Sequence, residues 1–320
     1  MKRTRTIVLF LLLGTIPILH ARDITVDTTG SGDFTSIQEA INSVRAFDPE
    51  GWVTIHIKKG IYREKVEIPA YATRIRLKGE AVNETVLVWY DHAKIDNMGT
   101  FKTYTLKISG SDIILEHLTI ENAAEPVAQA VAVHVEGDKI IFNNCRLLGN
   151  QDTYYGGRAG CRQFLYLCYI EGTTDYIFGP SVAWFEQCHL HSKRNSYITA
   201  ASTPQEQTHG YIFNRCKLTL ADGVDKVYLG RPWRPFAMTV FRNCELPEGI
   251  VPAGWDNWRN AENEKTARYA EYKNTGKGAL PNERVGWSRQ LSRSEARKLT
   301  VDRVLKGADN WKAYKEMMKN

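Results

Sequence analysis

The chain lacks the familiar signatures of a nucleophile or a metal site. It has no Gly-x-Ser-x-Gly elbow, no His-Glu-x-x-His and no Cys-x-x-Cys pair, which sets aside elbow-serine hydrolases, zincin-type proteases and zinc ribbons. It has no low-complexity tract and no long run of one charge, so no disordered tail is expected. Beyond the N-terminus no stretch is long and apolar enough to span a bilayer. Clear helix-period segments are missing from the middle of the chain, which argues against leucine-rich and helical repeats. Excess charge is also scarce. Apart from Lys2, Arg3 and Arg5, the chain carries 39 basic and 36 acidic residues. That balance is compatible with an acidic polymer and does not form the clustered basic stripe that nucleic acid calls for.

What is present suits one large domain: 320 residues, 43% hydrophobic and 24% charged. At the N-terminus, Lys2, Arg3 and Arg5 precede an apolar run from Ile7 to Leu19, with Ala21 as a small residue for cleavage. This is the layout of a secretory signal peptide over 1–21, leaving 22–320 as the exported domain, destined for periplasm or medium.

One phrase recurs five times: "FNNCRL" (142–147), "LYLCYI" (165–170), "FEQCHL" (185–190), "FNRCKL" (213–218) and "FRNCEL" (241–246). Its cysteines, Cys145, Cys168, Cys188, Cys216 and Cys244, are spaced 23, 20, 28 and 28 residues apart. A fixed phrase at that period signals a solenoid. The phrase alternates like a short strand, so an all-β parallel β-helix is predicted, with each Cys inward and Leu or Ile on the same face. Asn143, Asn144, Asn214 and Asn243 beside the cysteines are placed to satisfy turn backbone groups between coils. Segments 53–68, 73–80, 105–122 and 130–142 read as earlier strands. Residues 34–44 have helical spacing, capped by Thr35 or Ser36, and would close one end of the solenoid. The repeat stops near Gly249, and 291–305 and 310–318 read as helices. Cys168 and Cys188, one coil apart, are candidates for a disulfide; the alternative is a ladder of buried free thiols.

Two acidic residues stand out. Asp152 in "GNQDTYYGG" and Asp175 in "EGTTDYIFG" lie 23 residues apart, about one coil. Facing carboxylates in partly apolar surroundings have their pKa values pushed apart, giving one acid and one nucleophile. The plainer reading makes both turn residues bonded to their own backbone. In "YLGRPWRPF", Arg231 between Gly230 and Pro232 could hold a carboxylate ionised, and Trp233 offers a face for a sugar ring; equally, the stretch could be a surface turn with a packed Trp. His56, His117 and His134, in strand-like runs, read as scaffold.

At these residues the chain resembles the pectin methylesterases, a family of right-handed, single-stranded parallel β-helix carbohydrate esterases. The resemblance runs from "GSGDFTSIQEAI" (30–41) through "GIYREKV", "QAVAVHVEGD", "GNQDTYY", "CYIEGTTDYIFG", "YLGRPW", "GWDNW" and "EYKNTGKGA" to "RVGW" (284–287). The stretch "TAASTP" (199–204) is closer to the bacterial branch. The resemblance implies hydrolysis of methyl-esterified pectin without a cofactor or metal, by a monomer. It implies Asp175 as nucleophile and Asp152 as proton donor and acceptor. Gln151 and Gln129 would stabilise the oxyanion, and Arg231 would orient Asp175. Thr105, Gln129, Phe178, Arg231 and Trp233 would contact substrate. Tyr176 stands where the family usually has Phe, a change expected to touch substrate contacts at most. Competing readings are a pectate lyase or polygalacturonase on the same scaffold, or a β-helix that binds polysaccharide without turnover; the first two want a calcium-binding acidic cluster or glycosidase carboxylates that the motifs do not supply.

Overall fold

The structure, a computed structural model, describes residues 22–48 and 51–319; the predicted leader lies outside the described residues. Its strands form three sheets, of eleven, seven and seven strands, paired in parallel. Each full coil gives one strand to each sheet. Ile140–Asn143, Arg146–Leu148 and Tyr154–Gly156 make one coil, and Arg162–Tyr166, Tyr169–Gly172 and Ile177–Gly179 make the next. This is the right-handed parallel β-helix the repeat predicts, with short helices at both ends.

The repeated phrase is not one strand, as its alternation suggests. It is the corner between the first and second sheets. Asn143 ends one strand, Asn144 turns the chain, Cys145 points inward and Arg146 starts the next strand. The residue before the inward position adopts a left-handed conformation in successive coils: His117, Asn144, Leu167, Gln187, Arg215, Asn243 and Lys273 all have φ between 49° and 55°. Such a φ costs a non-glycine residue about 1 kcal/mol or more. It is offset because the corner keeps the ladder unbroken. Asn144 N–H donates to Tyr166 O, Leu167 N–H to Glu186 O and Gln187 N–H to Asn214 O, at 2.9, 3.1 and 2.9 Å.

The five cysteines stack in register one residue before paired strand positions. All are free and buried, so of the two readings left open by the spacing the structure has the thiol ladder and not the candidate Cys168–Cys188 disulfide. Parallel neighbours aim their side chains the same way, so their Cβ atoms stay near the strand spacing of about 4.8 Å, wider than a disulfide takes. Each thiol instead donates to the penultimate strand carbonyl of the preceding coil, Cys168 to Phe142 O and Cys188 to Leu165 O, both at 3.4 Å. The neighbouring asparagines mostly bond side chains, not turn backbone: Asn143 and Asn214 donate to Glu116 and Glu186, and Asn243 to Asn214. Beneath the corner, Phe185, Phe213 and Phe241 stack face to face at 4.3 and 4.4 Å.

The predicted N-terminal helix spans Ile37–Asn42. Ser36 caps it, its Oγ accepting from Glu39 N, and Ile37, Ala40 and Ile41 are buried. The repeat does not stop at Gly249: the first sheet continues through Arg268–Tyr272 and Arg289–Gln290. The later helices, Arg293–Lys298, Val301–Val304 and Ala313–Met317, lie along the side of the solenoid. They cover the outer face of the first sheet, packing Val304, Leu305 and Met317 on Phe164, Trp184 and Ile212. The outer face of the third sheet carries a separate, smaller cluster of Val131, Tyr155, Phe178 and Ala200, with Trp233 and Trp258 packed on it.

Candidate active site

Asp152 and Asp175 each close the turn that enters a strand of the third sheet. Tyr154 pairs with Ile177, two residues on from each aspartate, so the aspartates occupy equivalent positions on adjacent coils. Both are left-handed, with φ of 70° and 49°, a region Asp tolerates. Their turns are satisfied by the next coils: Asp152 N–H donates to Thr174 O at 3.1 Å and Asp175 N–H to Tyr197 O at 2.8 Å. Both side chains are therefore spared for other work. Both residues are buried, at 7% and 5% exposure.

Arg231 distinguishes the two. Its Nε and Nη2 donate to Asp175 Oδ1 and Oδ2 at 2.9 and 2.6 Å, a bidentate fork. Arg231 follows the strand Tyr228–Gly230, and a Cβ at Gly230 would sit 1.9 Å from Thr199 Oγ1, so only glycine permits this approach. The guanidinium lies between the rings of Tyr197 and Trp258, 3.9 and 3.8 Å from their centroids.

The electrostatics follow. Burial and the Asp175 charge push the Asp152 carboxyl well above the usual carboxylate range, against a smaller pull from Arg231. Burial also raises Asp175, and the Arg231 hydrogen bonds and charge offset only part of that, so its carboxyl stays above the usual range but without the strong lift of Asp152. Of the two, Asp152 is the better suited to hold a proton, and Asp175, forked by Arg231, to be the ionised partner.

A pocket of about 210 Å³ opens over this pair, lined also by Gln129, Gln151, Phe101, Phe178, Trp233 and Trp258. Gln129 and Gln151 are held through their backbone carbonyls, which accept from Ala93 and Ala130 N–H at 2.9 and 3.1 Å. The wall is a row of rings: Phe101 on Tyr155 at 4.9 Å, Tyr155 on Phe178 at 4.5 Å, and Phe178 to Trp233 at 5.9 Å.

Of the predicted residues, the structure gathers Asp152, Asp175, Gln129, Gln151, Arg231, Phe178 and Trp233 around this pocket. Thr105 is a correction. It is 0% exposed, and its hydroxyl donates to Glu121 O at 2.8 Å inside the coil. Leu106 and Ile108 are the inward positions of the strand that follows, so it is the turn before the strand, not strand alternation, that folds the Thr105 hydroxyl inward and away from the groove. Tyr176 is likewise inward, its hydroxyl 3.0 Å from Ser192 Oγ, so it stabilises the core and makes no substrate contact. Sequence reasoning missed Phe101, Tyr155, Tyr197 and Trp258. Trp258 lay in plain view in "GWDNW", but nothing in that phrase says it reaches back over Arg231. His134 acts as scaffold, Nδ1 meeting Phe101 O at 3.2 Å and Nε2 meeting Glu136 at 3.0 Å.

The chain matches the pectinesterase family profile over residues 23–308. Pectinesterase 31 of Arabidopsis thaliana is 42% identical over 287 residues, 86% of this chain and 89% of its own length. The pectin methylesterase from carrot superposes with a TM-score of 0.86 at 29% identity, covering 92% of this chain and 95% of its own. An aspartate-to-alanine mutant of a pectin methylesterase, solved with a hexasaccharide, is 30% identical with a TM-score of 0.79, over 92% of this chain and 99% of its own. With a family match over most of its length, relatives up to 42% identical and a shared solenoid, the chain belongs to the pectinesterase family.

Proposed function

We propose that this pectinesterase, a carboxylic ester hydrolase, cleaves the methyl esters of homogalacturonan to methanol and pectate through Asp175 and Asp152. The observation that carries the mechanism is the in-register pair of buried carboxylates with a guanidinium forked onto only one of them. An Asp175 oxygen attacks the ester carbonyl carbon. The carbonyl electrons move to oxygen, where the side-chain amides of Gln129 and Gln151 donate to the developing charge. The carbonyl re-forms, the bond to the methoxy oxygen breaks, and Asp152 gives that oxygen its proton. Methanol leaves, and the galacturonyl group remains as an anhydride with Asp175. Asp152, now ionised, takes a proton from water. The resulting hydroxide attacks the galacturonyl carbonyl, releasing the acid and restoring both aspartates. Arg231 holds Asp175 in one orientation and stabilises it as attacking group and leaving group. Phe178 and Trp233 give the sugar an apolar wall.

No step calls on a cofactor. Export through the 1–21 leader, to periplasm or medium, follows from the leader's pattern and suits a polymer substrate too large to enter a cell. The chain acts as a monomer, since all site residues come from one solenoid. Placement in the bacterial branch rests on residues 199–204 alone. The test is methanol release from highly methylated pectin, with and without chelator, while chain length is followed. Methanol and acid at constant chain length are expected. Calcium-dependent shortening without methanol would replace this reading with a lyase.

A further inference from the structure

A second cavity, larger than the catalytic pocket, lies elsewhere on the solenoid. About 890 Å³ lies between the outer face of the first sheet and the C-terminal helices, with Trp184, Glu186, Arg215, Arg242, Tyr314 and Lys315 in its lining. Its charge is unbalanced. The Glu186 carboxylate is already engaged by the Asn214 amide, at 2.9 and 2.8 Å, and by Trp184 Nε1 at 2.8 Å. Arg215 is exposed and comes no nearer to it than 3.9 Å. Arg242 spends one nitrogen on the carbonyls of Ala296 and Leu299, at the end of a helix, and leaves a buried Nε without a partner. Lys315 is exposed and has no ion pair among the described residues. Lys312 is closely paired, with Asp302 at 2.8 Å, whereas the Arg215 pairing is the loose one to Glu186. Three cations thus face one cleft, beside the half-open ring of Tyr314.

We propose that this cleft is a second carbohydrate site, which binds de-esterified oligogalacturonate, the acidic product of the reaction. This rests on the pectinesterase reading. The chemistry fits on three counts. The product carries one carboxylate per sugar, and Arg215, Arg242 and Lys315 offer charge-assisted donors to several at once. Tyr314 offers an aromatic face, edge-on to Phe164 and Tyr166 at 4.7 and 5.7 Å, that a sugar ring can cover. The volume accommodates more than one sugar. A methyl-esterified chain lacks the charge, so the cleft selects what the catalytic groove has already processed. Because this cleft opens from the first sheet and the groove from the third, the same stretch of polymer cannot fill both. Occupancy would anchor the enzyme to a finished region while the groove works on another chain or segment.

The experiment is calorimetric titration of the full enzyme with fully de-esterified trigalacturonate, which has no ester to cleave. Arg215→Ser and Lys315→Ser are compared with Trp233→Ala, which alters the groove. Two sites are expected in the wild type. The double variant Arg215→Ser, Lys315→Ser should weaken one of them by on the order of tenfold or more, with methanol release from short soluble substrates unchanged. Trp233→Ala should weaken only the other. Unchanged isotherms in the double variant would overturn the proposal, as would displacement of the trisaccharide by inorganic phosphate at equal concentration, which would reveal a general anion cleft. Failure of methanol release in the wild type would instead strike the pectinesterase reading, so the two failures are distinguishable.

Discussion

Asp152 stands directly over Asp175 in the parallel ladder, one coil away, yet Arg231 grips only Asp175. Identical side chains at equivalent positions are thereby set apart: Asp152 is pushed well above the usual carboxylate range, while Arg231 offsets part of the rise at Asp175. The asymmetry comes from the register of a strand two coils further on.

Asp175→Asn should abolish methanol release while leaving the fold intact, since an amide cannot attack the ester. Asp152→Asn should lower kcat by on the order of 10²-fold or more, through loss of the proton donor. Near-normal rates in either variant, with circular dichroism confirming the fold, would remove that residue from its role.

Arg231→Lys keeps the charge but cannot fork onto both oxygens or fill the space between two rings. Asp175 would lose the hydrogen bonds that draw its pKa down. The acid limb of the pH–rate profile, where Asp175 ionises, should move to higher pH, and kcat should fall. A profile superimposable on wild type would show that the fork does not control Asp175.

The raised Asp152 pKa also bears on stability. The folded protein binds that proton more tightly than the unfolded chain does. The stabilisation is fully present below the unfolded value, about pH 4, and is lost as pH rises through the folded value. Asp152→Asn has no such loss. Its Tm should exceed the wild type's at pH 7, and the difference should vanish toward pH 4. Equal Tm values at pH 7 would mean that the fold does not favour the protonated carboxyl.

The thiol ladder predicts that all six cysteines alkylate after unfolding without reductant, and that dithiothreitol leaves Tm unchanged. Protection of two thiols from alkylation would restore the Cys168–Cys188 bridge.

Thr105→Val removes a buried hydroxyl bonded to Glu121 O. A stability loss of about 1 kcal/mol with unchanged KM is expected. A raised KM with unchanged Tm would return Thr105 to the substrate groove.

Much of this was legible because a solenoid writes its geometry as spacing. The 23-residue interval between Asp152 and Asp175 is one coil, and the phrase around each Cys marked the rungs. Spacing does not reveal parity, however. Tyr176 sits next to Asp175 and Thr105 four residues after Phe101, and both face inward. Nor does it separate a strand from a corner, because the left-handed turn at Leu167, Gln187 or Arg215 uses residues with no turn preference, held there by ladder bonds on both sides. Phe101 and Trp258 reach the pocket from irregular segments, where no period exists to read. The cysteine bridge looked plausible from coil spacing, which fixes Cα positions but says nothing of where the thiols point.

The path from Asp175 to Arg231 has a consequence for how such chains can lengthen. The fork spans the coil that carries Tyr197 and Ala200, and its contacts are 2.6 and 2.9 Å. Duplicating or deleting one coil between them would displace the guanidinium by a strand spacing, about 4.8 Å, and break it. Whole-coil insertions are therefore compatible with activity only outside 129–231, because Gln129 lies one coil before Gln151. Within that interval the coil count is frozen, and variation is confined to loops that leave the coil and return to it.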